Sequence, residues 1–181
     1  MPPSAPAGRA THGDLLGIYV NDHLAAATGG IALVSRMITT HGDGARGGRL
    51  RELLAELHEE RAASRAAAGA LGIPVRGYKQ LGTWVAEKVT RLKPNGHLVT
   101  RSPLSDLVEV EFLATAVLAK RAGFETLLAI ATVDPRLDAE GWRRLVDQAD
   151  RQHRWLSDAR REIAADLFGG SAPAADDAAD T

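Results

Sequence analysis

The sequence predicts an all-α protein built as an antiparallel four-helix bundle. Hydrophobic residues make up 45% of the 181 residues, enough to form a core, whereas aromatic residues make up only 4%. Alanine, leucine, glutamate and arginine are abundant, and these residues favour helix over strand. Four long segments repeat apolar residues at helical spacing and are separated by glycine- or proline-containing breaks.

The first two helices are predicted near residues 14–39 and 49–72. Gly29-Gly30 interrupts the first helix, and we expect a kink or the close approach of a neighbouring helix there. The segment 41–44 contains two glycines and ends the first helix. The segment 72–74 ends the second, because proline disfavours helix in the residue before it. The short connection predicts that the two helices form a hairpin.

Residues 73–101 form a long crossover to the third helix. Part of this segment has apolar residues at helical spacing, which predicts a short amphipathic helix made by Leu81, Trp84, Val85, Lys88, Val89 and Leu92. A Lys93-Pro94-Asn95-Gly96 sequence ends this helix.

The third and fourth helices are predicted near residues 103–132 and 138–168. Ser102 is a typical N-cap residue, and Pro103 suits the first helical position. Asp134-Pro135 separates the two helices, which therefore form a second hairpin.

Two helical hairpins joined by a long crossover form the topology of ferritin-like bundles. We expect this bundle domain to span residues 13–168. Residues 1–12 and 169–181 lack a periodic apolar face and are predicted to be disordered tails, the second of them acidic.

Composition limits the classes of function. The chain has 22 basic and 23 acidic residues and a net charge of −1, so it lacks the basic excess typical of nucleic-acid-binding proteins. It contains no cysteine, which excludes disulfides, thiolate zinc sites and iron–sulfur clusters. It also shows no signal peptide and no apolar segment long enough to span a membrane, so we expect a cytoplasmic protein.

Each predicted helix carries an acidic residue that interrupts its apolar stripe, and histidines accompany two of these acids. Carboxylate and imidazole groups are ligands for iron and manganese, and bundle proteins bind such metals with inward-facing side chains. One interpretation is therefore a carboxylate-bridged di-iron or di-manganese oxidoreductase with Asp22, His23, Glu60, Glu111, Asp150 and His153 as ligands. We predict that Asp22 and Glu111 face the bundle interior, as this interpretation requires. Such sites use two Glu-x-x-His motifs, and in this chain only Asp150-x-x-His153 approximates one of them.

Structural interpretations of the same residues stay open. Asp22 or His23 can form a hydrogen bond across the bundle to a neighbouring helix and fix its register. Glu60 can lie at the edge of the core and form local ion pairs. Solvated helix faces are predicted for the remaining polar side chains, namely Asp150, His153, Glu109 and Lys120.

The crossover offers a second candidate site. Basic side chains and a serine lie close to the predicted start of the third helix, where backbone N–H groups and the helix dipole favour anions. The sequence thus predicts, as a further alternative, a small-anion site made by Arg91, Lys93, Arg101 and Ser102.

Three segments of the chain resemble a family of uncharacterised bacterial proteins that are regarded as ferritin-like bundles. The segments are 19–24 (YVNDHL), 87–96 (EKVTRLKPNG) and 101–104 (RSPL). The resemblance covers most of residues 14–165 and implies a four-helix bundle, and it favours bound metal.

The leading functional hypothesis is a binding or interaction protein without catalytic activity. Its alanine- and glycine-rich faces on the first two helices favour self-association, because small residues let helices pack closely. On this hypothesis the chain has no catalytic residue and no cofactor. We expect a second copy as a partner and neither a nucleic acid nor a membrane, and the sequence leaves the identity of any other protein or small-molecule partner open.

Overall fold

The computed structural model describes residues 11–75, Ser102 and residues 104–169. Those residues form four helices and no strand: α1 (His12–His41), α2 (Ala45–Ala70), α3 (Leu104–Ala131) and α4 (Ala139–Phe168). The all-α fold class and the four predicted helices are confirmed. The predicted crossover helix and most of both predicted tails (1–10 and 170–181) lie outside the described residues.

A capping box starts α1 earlier than predicted. The hydroxyl of Thr11 accepts a hydrogen bond from the backbone N–H of Asp14 (3.2 Å), and the backbone N–H of Thr11 donates to the Asp14 carboxylate (3.0 Å). This pairing satisfies N–H groups that have no partner within the helix. Thr11 and His12 therefore belong to α1 and not to the predicted tail.

The turn between α1 and α2 is shorter than predicted. Gly42 ends α1 with φ of 59°, a conformation that glycine adopts without strain. Arg51 closes the turn by donating to the Asp43 carboxylate (2.7 Å) and the Gly42 carbonyl (3.1 Å). α2 then starts at Ala45 and includes Gly47, although the sequence predicted a start near residue 49.

Side-chain oxygens also cap the second pair of helices. The Ser102 hydroxyl accepts from the N–H of Leu104 (3.3 Å), in keeping with its predicted capping role. The Asp138 carboxylate accepts from the N–H of Glu140 (3.0 Å) and caps α4. The connecting turn is held by Arg136, which donates to Asp134 (2.6 Å).

α1 packs against both α2 and α3, and α3 packs against α4, which confirms the predicted pairing of consecutive helices. Near the start of α1, Asn21 donates to the carbonyl of Pro74, just beyond α2 (3.1 Å). Near its end, Arg36 donates to Glu109 in the first half of α3 (2.8 Å). All four helices contribute to the apolar core, whose most deeply buried leucines and methionine are Leu24, Met37, Leu50, Leu113 and Leu156.

The Gly29-Gly30 pair does not interrupt α1, which runs as one helix from His12 to His41. A Cβ atom added to Gly30 would meet nothing within 4 Å among the described residues, so no neighbour approaches closely there. Close approach occurs instead at Gly123 of α3, where an added Cβ would lie 2.7 Å from Cε1 of His23. At Gly30, the expected close approach is therefore not found among the described residues.

Among the described helices, none combines the length and apolar character that crossing a lipid bilayer requires.

Candidate functional site

A buried ion pair lies between α2 and α3. Nζ of Lys120 lies 2.5 Å from Oε2 of Glu60, whose side chain is only 2% exposed. Lys120 is 16% exposed, and its Nζ also donates to Oε1 of Gln152 on α4 (2.5 Å). The ion pair therefore joins three of the four helices.

Amide groups complete the hydrogen bonding of this buried cluster. Gln152, which is 1% exposed, donates from Nε2 to Oε1 of Glu60 (2.9 Å) and to Oε2 of Glu56 (2.8 Å). Gln148 donates to the same Glu60 oxygen (3.0 Å). Burying a charge is costly unless it is paired and hydrogen-bonded, and here both Glu60 oxygens have donors.

Burial lowers the pKa of the Lys120 ammonium from its usual value, because the apolar surroundings disfavour the charged form. The Glu60 carboxylate opposes this effect by charge and by its hydrogen bond, and Glu56 opposes it by charge. Lys120 thus differs from a solvated surface lysine in holding its proton less tightly.

The ion pair forms part of the wall of a cavity that lies between α1, α2 and α3 and is partly open to solvent. The cavity has a volume of about 320 Å³ and a mainly apolar lining that includes Ala27, Gly30, Phe112, Ala116, Phe124 and Leu127. Its polar lining comes from Glu60, Lys120, Asp22, His23 and Arg61. A mainly apolar cavity of this size with a few convergent polar groups has the character of a small-molecule pocket.

His23 forms another part of the wall and is held by an aromatic neighbour. Its ring lies edge to face with the Tyr19 ring, with 4.6 Å between centroids. The Tyr19 hydroxyl lies within hydrogen-bonding distance of the Thr126 hydroxyl on α3 (3.0 Å). The absence of a side chain at Gly123 leaves room for the His23 ring against α3.

The structure brings three of the six predicted metal ligands to one cavity: Asp22, His23 and Glu60. The other three do not line it. Asp150 accepts from Arg121 (2.6 Å), and Glu111 lies 3.8 Å from Arg160. In the described part of the chain, no group of three or more histidine, aspartate or glutamate side chains is arranged to hold a metal ion.

The prediction that Asp22 and Glu111 face the interior was wrong, since both are exposed. On α3 the buried positions include Val110, Leu113 and Ala114, and Glu111 lies off this stripe. Asp22 or His23 was predicted to bond across the bundle. In the neighbouring positions, the Tyr19 hydroxyl lies 3.0 Å from the Thr126 hydroxyl on α3, and Asn21 donates to the Pro74 carbonyl beyond α2 (3.1 Å).

One member of the buried cluster, Lys120, was not recognised from the sequence. Lys120 was predicted to be exposed together with Glu109, yet both are largely buried, and Glu109 pairs with Arg36. A signal was present, because Lys120 follows the buried Val117 by three residues and precedes the buried Phe124 by four.

Of the predicted anion site, only Ser102 lies within the described residues. Its hydroxyl accepts from the Leu104 N–H. Arg91, Lys93 and Arg101 lie outside the described residues, so the anion site stays a prediction.

In comparisons with protein-family models, curated proteins and solved structures, nothing matches this chain. The resemblance to a ferritin-like family therefore stays a prediction, and the functional argument depends on the cavity and the buried cluster.

We expect His23 to make the stability of the protein depend on pH. Burial lowers its pKa from 6.5, and the nearby Asp22 carboxylate opposes this effect. Between the lowered pKa and 6.5 the unfolded chain binds a proton that the folded chain does not, so stability falls as the pH falls through this window. We expect the loss of stability between about pH 7.5 and about pH 5.5 to be smaller in His23→Gln than in the wild type.

Urea unfolding of both proteins at the two pH values measures this difference. Other titrating groups contribute equally to both proteins and cancel in the comparison. An equal loss of stability in His23→Gln and the wild type would contradict the prediction.

Proposed function

We propose that this chain is a binding protein without catalytic activity and that it binds a small, mainly apolar molecule in the cavity between α1, α2 and α3. The observation that carries the proposal is the cavity of about 320 Å³ itself, which combines an apolar lining with Lys120 and Glu60. Protein cores normally contain few voids larger than a water molecule, so a cavity of this volume is unusual.

The lining indicates the chemical class of the ligand. Apolar cavities bind apolar molecules because each Å² of apolar surface removed from water contributes about 25 cal/mol. Phe112 and Phe124 offer aromatic surface, and Lys120 lies with its ammonium 5.6 Å from the centre of the Phe124 ring. A flat apolar ligand with one hydrogen-bond acceptor, such as a carbonyl oxygen, suits both features.

We also propose an antiparallel bundle with a ferritin-like crossover as the frame of this site. Three contacts support it: Asn21 with Pro74, Tyr19 with Thr126, and Arg36 with Glu109. They are the contacts expected if α1 runs opposite to both α2 and α3. In that arrangement α2 and α3 run in the same direction, which is the relation that a long crossover produces.

Filling the cavity tests the function. Gly30 lines the cavity, and a Cβ atom there meets nothing within 4 Å, so Gly30→Leu adds a side chain to the void. We expect the affinity for a neutral naphthyl methyl ketone to fall at least about tenfold. Fluorescence titration of the purified protein measures this affinity.

Gly69→Leu is the matched control. Gly69 is also helical, an added Cβ there meets nothing within 4 Å, and the residue does not line the cavity. Both substitutions raise helix propensity by up to about 1 kcal/mol, so both variants should stay folded. If the ketone fails to bind the wild type, or binds Gly30→Leu as tightly as Gly69→Leu, the proposal is wrong.

A further inference from the structure

We propose that Lys120 binds an apolar aldehyde covalently and reversibly, as an imine formed inside the cavity between α1, α2 and α3. This inference rests on the proposed function, since the aldehyde must first enter the cavity. It adds to that function the class of ligand, an apolar aldehyde, and the atom that binds it, Nζ of Lys120. Its basis is the position of a buried amine on the wall of an apolar cavity, in contact with a buried carboxylate.

The choice of lysine at this position supports a chemical role. The chain has 18 arginines and four lysines, and Lys120 is the only lysine within the described ranges. Arginine provides ion pairs equally well or better, but it stays protonated in proteins, whereas a buried lysine can lose its proton and become a nucleophile. Burial lowers the pKa of Lys120 and so raises the fraction of neutral amine.

Glu60 lies where a proton acceptor is needed. Its Oε2 lies 2.5 Å from Nζ of Lys120, so it can take one ammonium proton and leave the nitrogen lone pair free to attack the carbonyl carbon. A second nitrogen proton moves to the carbonyl oxygen and gives a neutral carbinolamine. The protonated Glu60 then returns its proton to the carbinolamine hydroxyl, which leaves as water.

The products balance without an oxidant or a reductant. One ammonium group and one aldehyde give one protonated imine and one water molecule, and Glu60 ends as a carboxylate beside the positive charge. The same pairing of charges exists before and after the reaction. Imine formation leaves fewer N–H donors on Nζ of Lys120, but Glu60 keeps the hydrogen bonds that Gln148 and Gln152 donate.

Reductive trapping tests the inference. The protein is incubated with 2-naphthaldehyde and sodium cyanoborohydride, which reduces the protonated imine in preference to the free aldehyde, and peptide mass spectrometry then locates the reduced adduct. We expect Lys120 to be labelled at least about tenfold more than any of Lys79, Lys88 and Lys93. Labelling at Lys120 should fall by a similar factor in Gly30→Leu and persist in Gly69→Leu.

The naphthyl ketone separates failure of this inference from failure of the proposed function. If the ketone binds the cavity but the aldehyde labels all four lysines alike, the imine is excluded and the binding function stands. If labelling of Lys120 is unchanged in Gly30→Leu, the reaction does not use the cavity and the inference is also wrong. If neither compound binds, the proposed function and the inference are both overturned.

Discussion

Replacing Glu60 with leucine is expected to lower the free energy of unfolding by about 3–5 kcal/mol, because the substitution leaves the buried Lys120 charge without its carboxylate. It also removes the acceptor of hydrogen bonds from Gln148 and Gln152. A buried donor that loses its acceptor adds to the cost, because water satisfies the same group in the unfolded chain. Urea unfolding of the variant and the wild type measures the effect.

Glu59→Leu is the matched control for this substitution. Glu59 is the preceding residue of the same helix and is exposed, so the identical chemical change should alter stability by no more than about 0.5 kcal/mol. Equal effects at the two positions would show that the Glu60 ion pair contributes nothing to stability.

A double variant separates the ion pair from the packing around it. Lys120→Met alone leaves Glu60 buried without its cation and should be destabilising for the same reason. Glu60→Leu combined with Lys120→Met leaves neither charge in the core. We therefore expect its loss of stability to be smaller than the sum of the two single losses. Additive losses would contradict this account of the cluster.

The helices were predictable because each has an apolar stripe at helical spacing and a recognisable break. Their rotation about their own axes was harder to predict. One residue corresponds to about 100° of rotation, so an error of one position exchanges an inward side chain for an outward one. Glu111 shows the consequence, since it lies next to the buried Val110 and yet is exposed. Glu60 was identified as a polar residue on the apolar stripe, and it is buried.

The partner of Glu60 was missed for a different reason. Lysine is almost never fully buried unless paired, so the exposed interpretation of Lys120 followed the usual behaviour of the residue. Its long stem lets the ammonium reach a carboxylate on another helix while the apolar part packs in the core. Which residues of α2 and α4 lie at its level depends on how the two hairpins pack together. The apolar periodicity of a single helix does not contain that information.

The metal hypothesis depends on the same carboxylates, and their observed partners work against it. An iron or manganese ion at Glu60 must displace the Lys120 ammonium at 2.5 Å. Asp150, which accepts from Arg121, presents the same competition. A cation that already occupies a carboxylate lowers its ability to bind a metal ion, because both compete for the same oxygen atoms.

Gly47→Ala is expected to destabilise the protein by about 3 kcal/mol, the upper end of the usual cost of overpacking. A Cβ atom on Gly47 would lie 2.0 Å from the backbone oxygen of Gly42, much closer than two such atoms can approach. Gly42 itself ends α1 with a positive φ, and its carbonyl accepts from Arg51, so a shift of the turn disturbs both the end of α1 and this contact. The adjacent Gly48 provides the control, because an added Cβ there meets nothing within 4 Å. Gly48→Ala should stabilise the protein by up to about 1 kcal/mol through helix propensity. Thermal and urea unfolding of the two variants should therefore give shifts of opposite sign, and shifts of the same sign would contradict the close contact between the start of α2 and the end of α1.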